Sequence, residues 1–238
     1  MRTNGKIIGV SLGPGDPGLI TMKGWQVLQQ VDKVYYPASL LPGGGMKSYS
    51  LTILQQLGLN EQKFCPVLLS MDSERTHNLG AYEVVFEQMK ADCENGLQVA
   101  YVSEGDSTFY STFAYILHHL NAAQLPVEII AGVPSFLLAT AMHQQPLAVL
   151  QERIAIVPLP ESQAQLENYL TLFHTVVLIK VRHAMVCIEP LVAAGKAIML
   201  YAEKLGTAEQ FISTSTTELA QRELPYFSLI ILKSTICD

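Results

Sequence analysis

With 238 residues, about half of them hydrophobic and 15% charged, the chain has enough apolar material to bury one large core or two moderate ones, which excludes a disordered protein. Its net charge of −6 contains no basic run, so the electrostatic footprint of a nucleic-acid binder is missing. Four scattered cysteines, Cys65, Cys93, Cys187 and Cys237, have no metal-ligand spacing, and no metal site is expected.

The N-terminus runs from Met1 straight into a strand, without the apolar core of a signal peptide. That first strand, Lys6 to Leu12, opens into Gly13-Pro14-Gly15-Asp16-Pro17-Gly18 and then a helix carrying Ile20, Val27, Leu28 and Val31 at helical spacing. Glycines admit close backbone approach and positive φ, and the prolines stiffen the loop, so its N–H groups are expected to line a rim for a ligand. The spacing also matches the G-x-G-x-x-G dinucleotide fingerprint. A dinucleotide site, however, needs an acidic residue closing the second strand, and Lys33 to Tyr36 closes in Tyr36-Pro37. Gly43-Gly44-Gly45 follows, either as a lid or as a plain surface connection.

Further strands are predicted at Lys63 to Leu68, Leu97 to Val102 and Val127 to Ile130. Helices lie between them, one over Thr76 to Cys93 and one placing Phe109, Phe113, Ile116, Leu117 and Leu120 on a single face. His118 and His119 are adjacent on that helix and point apart, which suits a partly exposed flank and not a metal pair. Two more polar turns end strands: Ser103-Glu104-Gly105-Asp106-Ser107, where Asp106 or Ser107 is suited to cap the next helix, and Ala131-Gly132-Val133-Pro134-Ser135. Three such turns at strand carboxyl ends point to one ligand site.

The longest apolar stretch, Val127 to Met142, carries Glu128 and Pro134 and is too interrupted to span a membrane. After Gln144-Gln145-Pro146 the pattern restarts with strands near Arg153 to Val157, Val176 to Lys180, Ala197 to Ala202 and Leu229 to Lys233. Ser213 to Thr217 reads as a turn. The expected architecture is α/β, with an N-terminal domain over 1–145, a C-terminal domain over 146–238, and a ligand cleft between them.

These motifs together resemble the tetrapyrrole methylases: Gly13-Pro14-Gly15-Asp16-Pro17 with Leu19-Ile20-Thr21, the Glu104-Gly105-Asp106 turn, Gly132-Val133-Pro134-Ser135, and Tyr201 to Thr207. Within that family, Tyr110-Ser111-Thr112-Phe113 with Tyr115-Ile116, and Lys180, resemble the branch that methylates C20 of precorrin-2 in cobalamin synthesis. Ser107 and Pro134 depart from the commoner family residues, proline and a small or hydroxyl residue respectively. The resemblance implies S-adenosylmethionine as methyl donor, S-adenosylhomocysteine as product, a tetrapyrrole substrate and a cytoplasmic homodimer.

It further implies that Pro14, Glu104, Gly105, Asp106, Phe109, Pro134, Ser135, Lys180 and Leu205 border the cofactor. Gly13, Gly15, Asp16 and Tyr110 are expected to face the tetrapyrrole, with Lys47, Arg75 and Arg182 as cations for its carboxylates. A sulfonium methyl is already activated, so positioning dominates. Asp106, Glu104 and Tyr110 are the candidates for removing a proton, with Asp106 alternatively only a cap and ligand. Another regiochemistry within the family, a nucleotide-dependent oxidoreductase and a non-catalytic carrier are the alternatives.

Overall fold

The computed structural model describes residues 5–41, 44–69, 76–158 and 160–237, the side chains of 76–79 excepted. Its backbone divides into two compact units, Met1–Pro134 and Ser135–Asp238, whereas the sequence pattern places the break at 145/146.

The first unit is built on a sheet of six strands: β1 (Lys6–Ser11), β2 (Lys33–Leu40), β3 (Met46–Lys47), β4 (Phe64–Leu69), β5 (Gln98–Ser103) and β6 (Val127–Ile130). The order runs β3-β2-β5-β1-β6, with β4 also on β2, and every pairing is parallel except that of β3. β1 lies between β5 and β6 and is buried on both faces, which is why it reads as a continuous apolar run.

Alternate residues of these strands enter different cores. Ile7, Val99 and Tyr101 pack with Met89 of α3 (Thr76–Glu94) and with Phe113, Ile116 and Leu120 of α4 (Phe113–Ala122). Ile8, Val10, Ala100 and Val102 pack with Leu28 of α1 (Met22–Gln30) and Leu54 of α2 (Tyr49–Gln56). Phe113 stacks on Tyr101 at 5.5 Å and fills the space over Gly9, where a Cβ would stand 2.5 Å from the Phe113 ring.

In the second unit the sheet order is β10 (Phe211–Ser213), β9 (Ala197–Glu203), β11 (Ser228–Ser234), β8 (Thr175–Ile179) and β7 (Ile154–Val157); only β7 and β8 are parallel. One face packs Val176, Leu178, Met199, Tyr201, Ile230 and Leu232 against Leu166 and Leu170 of α6 (Gln163–Leu172) and Ile188 and Leu191 of α7 (Met185–Ala193). This unit begins with α5 (Ser135–His143).

Several expectations are corrected. β3 and β10 carry no sequence signal, and β2 continues past Pro37 because β4 pairs with it from Val34 to Ser39, while the ladder with β5 runs only from Lys33 to Tyr35 and asks nothing of the proline's missing N–H. Ser213 ends β10, and Thr216–Leu219 forms a short helix, α8, capped by Ser215, where a turn is expected. Cys65, Cys93, Cys187 and Cys237 are free thiols. No helix among the described residues is long and apolar enough to cross a membrane.

Candidate functional site

Three turns follow the carboxyl ends of the adjacent strands β5, β1 and β6, and the structure ties them together. Gly13 and Gly105 form a two-way bridge: the Gly13 N–H donates to the Gly105 carbonyl at 3.1 Å, and the Gly105 N–H donates back at 2.7 Å. Both glycines have positive φ, +80° and +68°.

Asp106 makes the second tie. Its Oδ1 accepts from the N–H and hydroxyl of Thr108, at 2.8 and 2.5 Å, and its Oδ2 accepts the Gly132 N–H at 2.6 Å. The third turn is therefore anchored on the second through a carboxylate that is nearly buried. A Cβ at Gly132 would lie 2.6 Å from the Gly105 carbonyl oxygen and 2.4 Å from Ser11 Cβ, so these turns approach closely only because that residue is glycine.

Ser11, fully buried at the end of β1, supplies the third tie. Its Oγ accepts the Ser107 N–H at 2.8 Å and its hydroxyl donates to Ser107 Oγ at 3.1 Å. A proline there, which the resemblance leads one to expect, would have no N–H to give, and Ser107 supplies a hydrogen-bonded anchor in its place.

Burial pushes the Asp106 carboxyl up, but the hydrogen bonds from the Thr108 hydroxyl, the Gly132 and Thr108 N–H groups and Ser11 outweigh it and hold the group below its usual range. A depressed folded-state value contributes stability that is complete above the unfolded carboxylate value of about 3.9 and is lost as pH falls through the lower folded value. Melting curves should therefore show a gap between the protein and its Asp106→Asn variant that is widest near neutrality and closes in acid; a gap independent of pH contradicts the assignment.

The helix after the second turn begins at Phe113, not near Phe109. Asp106 consequently caps no helix: it closes a local turn and holds Gly132. Thr112 sits at the helix N-cap without a side-chain capping hydrogen bond, and the Phe113 N–H is met by Ser111 Oγ at 3.1 Å. Phe109 lies in the turn, its N–H donating to the Asp106 carbonyl. Tyr110 is likewise off the helix, about half exposed, with φ +49°.

Glu104 is also committed. Its Oε1 accepts the N–H and hydroxyl of Ser50 in the first turn of α2, at 3.1 and 2.6 Å. Both carboxylates considered as proton acceptors thus hold loops and helices in place.

The first loop largely satisfies itself. Gly18 donates to Asp16 Oδ1 at 2.8 Å, and Leu19 and Ile20 donate to the carbonyls of Asp16 and Pro17, forming a 3-10 turn over Pro17–Leu19 before Thr21 caps α1. Of the rim expected there, the N–H groups of Gly15 and Asp16 are the ones without a partner among the described residues. Pro14 is half-buried between the positive-φ residues Gly13 and Gly15.

The other expected residues divide between the units. Pro134 closes the first unit and Ser135 opens α5 of the second. Lys180, after β8, has φ +60°, donates its N–H to the Ser228 carbonyl, and holds its ammonium 5.7 Å from the Tyr226 ring centroid. Leu205 is buried beyond β9. Of the cations, Arg182 pairs with Glu223 at 2.8 Å, Lys47 lies over Tyr49, and Arg75 falls outside the described residues, as does Gly43 of the glycine run. His118 and His119 border a shallow groove with Tyr82 and Tyr115, and no cluster of metal-ligating side chains exists among the described residues.

Ser11 and Ser50 complete the constellation without having been named from the sequence, and Ser103, Ser111 and Gly132, which belong to the motifs named there, carry no expected role. The available signal was the recurrence of Ser at the last position of β1 and β5.

Interlocked glycine turns over the carboxyl ends of parallel strands define a small-molecule binding protein of the α/β class. The model of the tetrapyrrole (corrin/porphyrin) methylases matches residues 6–220, and the chain belongs to that family. It is 29% identical over 234 residues to a precorrin-2 C(20)-methyltransferase of Sinorhizobium sp, covering 96% of this chain and 95% of the relative. It is 32% identical over 181 residues to a probable cobalt-precorrin-2 C(20)-methyltransferase of Methanocaldococcus jannaschii, covering 75% and 73%. A uroporphyrin-III C-methyltransferase of Thermus thermophilus, solved in complex with S-adenosylhomocysteine, shares the fold at TM-score 0.67 and 20% identity, covering 96% of this chain and 97% of that one. The expected two-domain α/β fold is thereby borne out, and the dinucleotide fingerprint is incidental.

Proposed function

We propose that the protein transfers the methyl group of S-adenosylmethionine to C20 of precorrin-2 or its cobalt-containing form, releasing S-adenosylhomocysteine. The observation that carries this reading is the interlock of Gly13, Gly105, Asp106 and Gly132, combined with full-length similarity to relatives named for that reaction.

The residues present suit the methyl donor. Gly105 has positive φ and nothing within 4 Å of where its Cβ would be, so main chain is left open to a ligand that any side chain would displace. Glu104, Gly105, Asp106 and Phe109 would form the wall against it, with Pro14 beside the first turn. Pro134, Ser135, Lys180 and Leu205 belong to the same proposal as the family's remaining cofactor positions. When bound, S-adenosylmethionine supplies an activated methyl on its sulfonium, so no nucleophilic residue is called for. Asp106 and Ser11 keep the turns fixed, and Asp106 reaches the reaction by holding Gly132 and Gly105 in register. Gly13, Gly15, Asp16 and Tyr110 are proposed to meet the tetrapyrrole, the free N–H groups of Gly15 and Asp16 being suited to a carboxylate. Free thiols suit a cytoplasmic setting, and the resemblance adds a homodimer, which sedimentation tests.

Calorimetry with S-adenosylmethionine, S-adenosylhomocysteine, NAD and NADP separates this reading from an oxidoreductase. Both adenosyl ligands should bind and neither nicotinamide should; nicotinamide binding alone overturns it.

A further inference from the structure

We infer that Tyr110 determines which ring the site accepts and how that ring is seated, its phenol ring held out as a contact surface by a backbone conformation that the surrounding loop enforces. A tyrosine with φ +49° is unusual, because its Cβ crowds the carbonyl in the left-handed region and a glycine or asparagine would sit there with less strain. Strain of this kind persists only where neighbouring contacts over-determine it.

Those contacts surround Tyr110 on both sides. Before it, Asp106 holds Thr108, Ser11 holds Ser107, and the Phe109 N–H donates to the Asp106 carbonyl. After it, the Ser111 hydroxyl donates to Ser103 Oγ at 2.8 Å while its oxygen accepts the Phe113 N–H, and Thr112 Oγ1 lies 3.3 Å from the hydroxyl of the buried Tyr101. The turn is thus pinned to the carboxyl ends of β1 and β5 by hydroxyl pairs, and Tyr110 is its one residue other than glycine at positive φ.

The side chain gains little within the protein from this arrangement. It is 49% exposed, stands edge-on to Phe109 with ring centroids 4.9 Å apart, and its hydroxyl has no partner among the described residues. An exposed aromatic held in a strained conformation, in the same turn as the open Gly105, suits contact with a large conjugated ring, not internal packing. Unlike the backbone ties beneath it, it can vary without dismantling the methyl-donor turns, which is the requirement for a specificity residue.

The inference rests on the tetrapyrrole reading, so its test separates the two. The full chain and its Tyr110→Phe, Tyr110→Gly and Tyr110→Asn variants are titrated with sirohydrochlorin, the coloured oxidised form of the proposed ring, and with S-adenosylhomocysteine. Gly and Asn, which tolerate positive φ, should melt no lower than the unmodified protein and bind S-adenosylhomocysteine within about twofold, yet bind sirohydrochlorin about tenfold more weakly, the loss of an aromatic contact. Phe should bind it within about twofold. Sirohydrochlorin binding unchanged in both Gly and Asn overturns the role of Tyr110 alone, as does a lowered melting temperature in both. An unmodified protein that binds S-adenosylhomocysteine but not sirohydrochlorin overturns the substrate reading and the role of Tyr110 with it.

Discussion

Replacing Asp106 by alanine is expected to abolish useful methyl-donor affinity and to lower stability by about 3 kcal/mol. The variant leaves the Gly132 and Thr108 N–H groups without their acceptor, and an unsatisfied buried donor costs about 1–3 kcal/mol. The loss exceeds that of a simple helix cap, about 1 kcal/mol, because the carboxylate joins two turns instead of ending one helix. Donor affinity should fall, since the turns that position the ligand separate, and methyl transfer that remains should slow by about 100-fold, the order of cost of misplacement by an ångström. Chemical denaturation and calorimetry measure the two effects independently. Asparagine should fall between, its carbonyl oxygen retaining one side of the bridge and its amide facing a donor on the other.

Gly132→Ala is the second large effect, and it acts by crowding where Asp106→Ala acts by loss. The new methyl would meet the Gly105 carbonyl oxygen, which belongs to backbone already bridged to Gly13, and Ser11 Cβ, which lies at the end of β1, between β5 and β6. Neither partner can swing aside, so overpacking should cost about 1–3 kcal/mol and force the third turn away from the second. Gly105→Ala makes the informative contrast. Space is open there, and the cost to the folded protein is the strain of positive φ alone, about 1–2 kcal/mol. Its donor affinity should nevertheless fall as steeply as that of Gly132→Ala, because the methyl occupies the ligand's own space. Equal melting temperatures with intact donor binding in both variants would place the cofactor elsewhere.

The parts of this site that were legible in the sequence are those whose cause is local. Apolar runs bounded by glycine located β1, β5 and β6, and their turns, because a buried parallel strand must be continuously apolar and must end where the chain leaves the sheet. Ties between turns were not legible. Ser11 meets Ser107, and Asp106 meets Gly132, only after β5, β1 and β6 have been brought side by side, and nothing in the spacing of these residues encodes which strands are neighbours. The commonest local use of an aspartate there is capping, whereas Asp106 bonds Thr108 two residues on and Gly132 of another turn.

The same limit explains Phe109. Four residues before Phe113, it mimics the first position of an amphipathic stripe, but the serine and threonine hydroxyls of 107–112 bond to neighbouring backbone and hydroxyl groups and keep that segment out of the helix. In the second unit, alternation of strands and helices identified the layers without their directions. Whether a connection returns on the same face or reverses is decided by packing across the sheet, and the sheet is largely antiparallel.

The central claim is methyl transfer to a defined carbon, and it is tested most directly by incubating the protein with methyl-13C S-adenosylmethionine and either precorrin-2 or its cobalt form, then locating the label by NMR. The account predicts a single new methyl on C20 with one of these rings. A label on any other ring carbon with none at C20 contradicts the regiochemistry, and no transfer to either ring while the methyl donor is bound contradicts the enzyme itself.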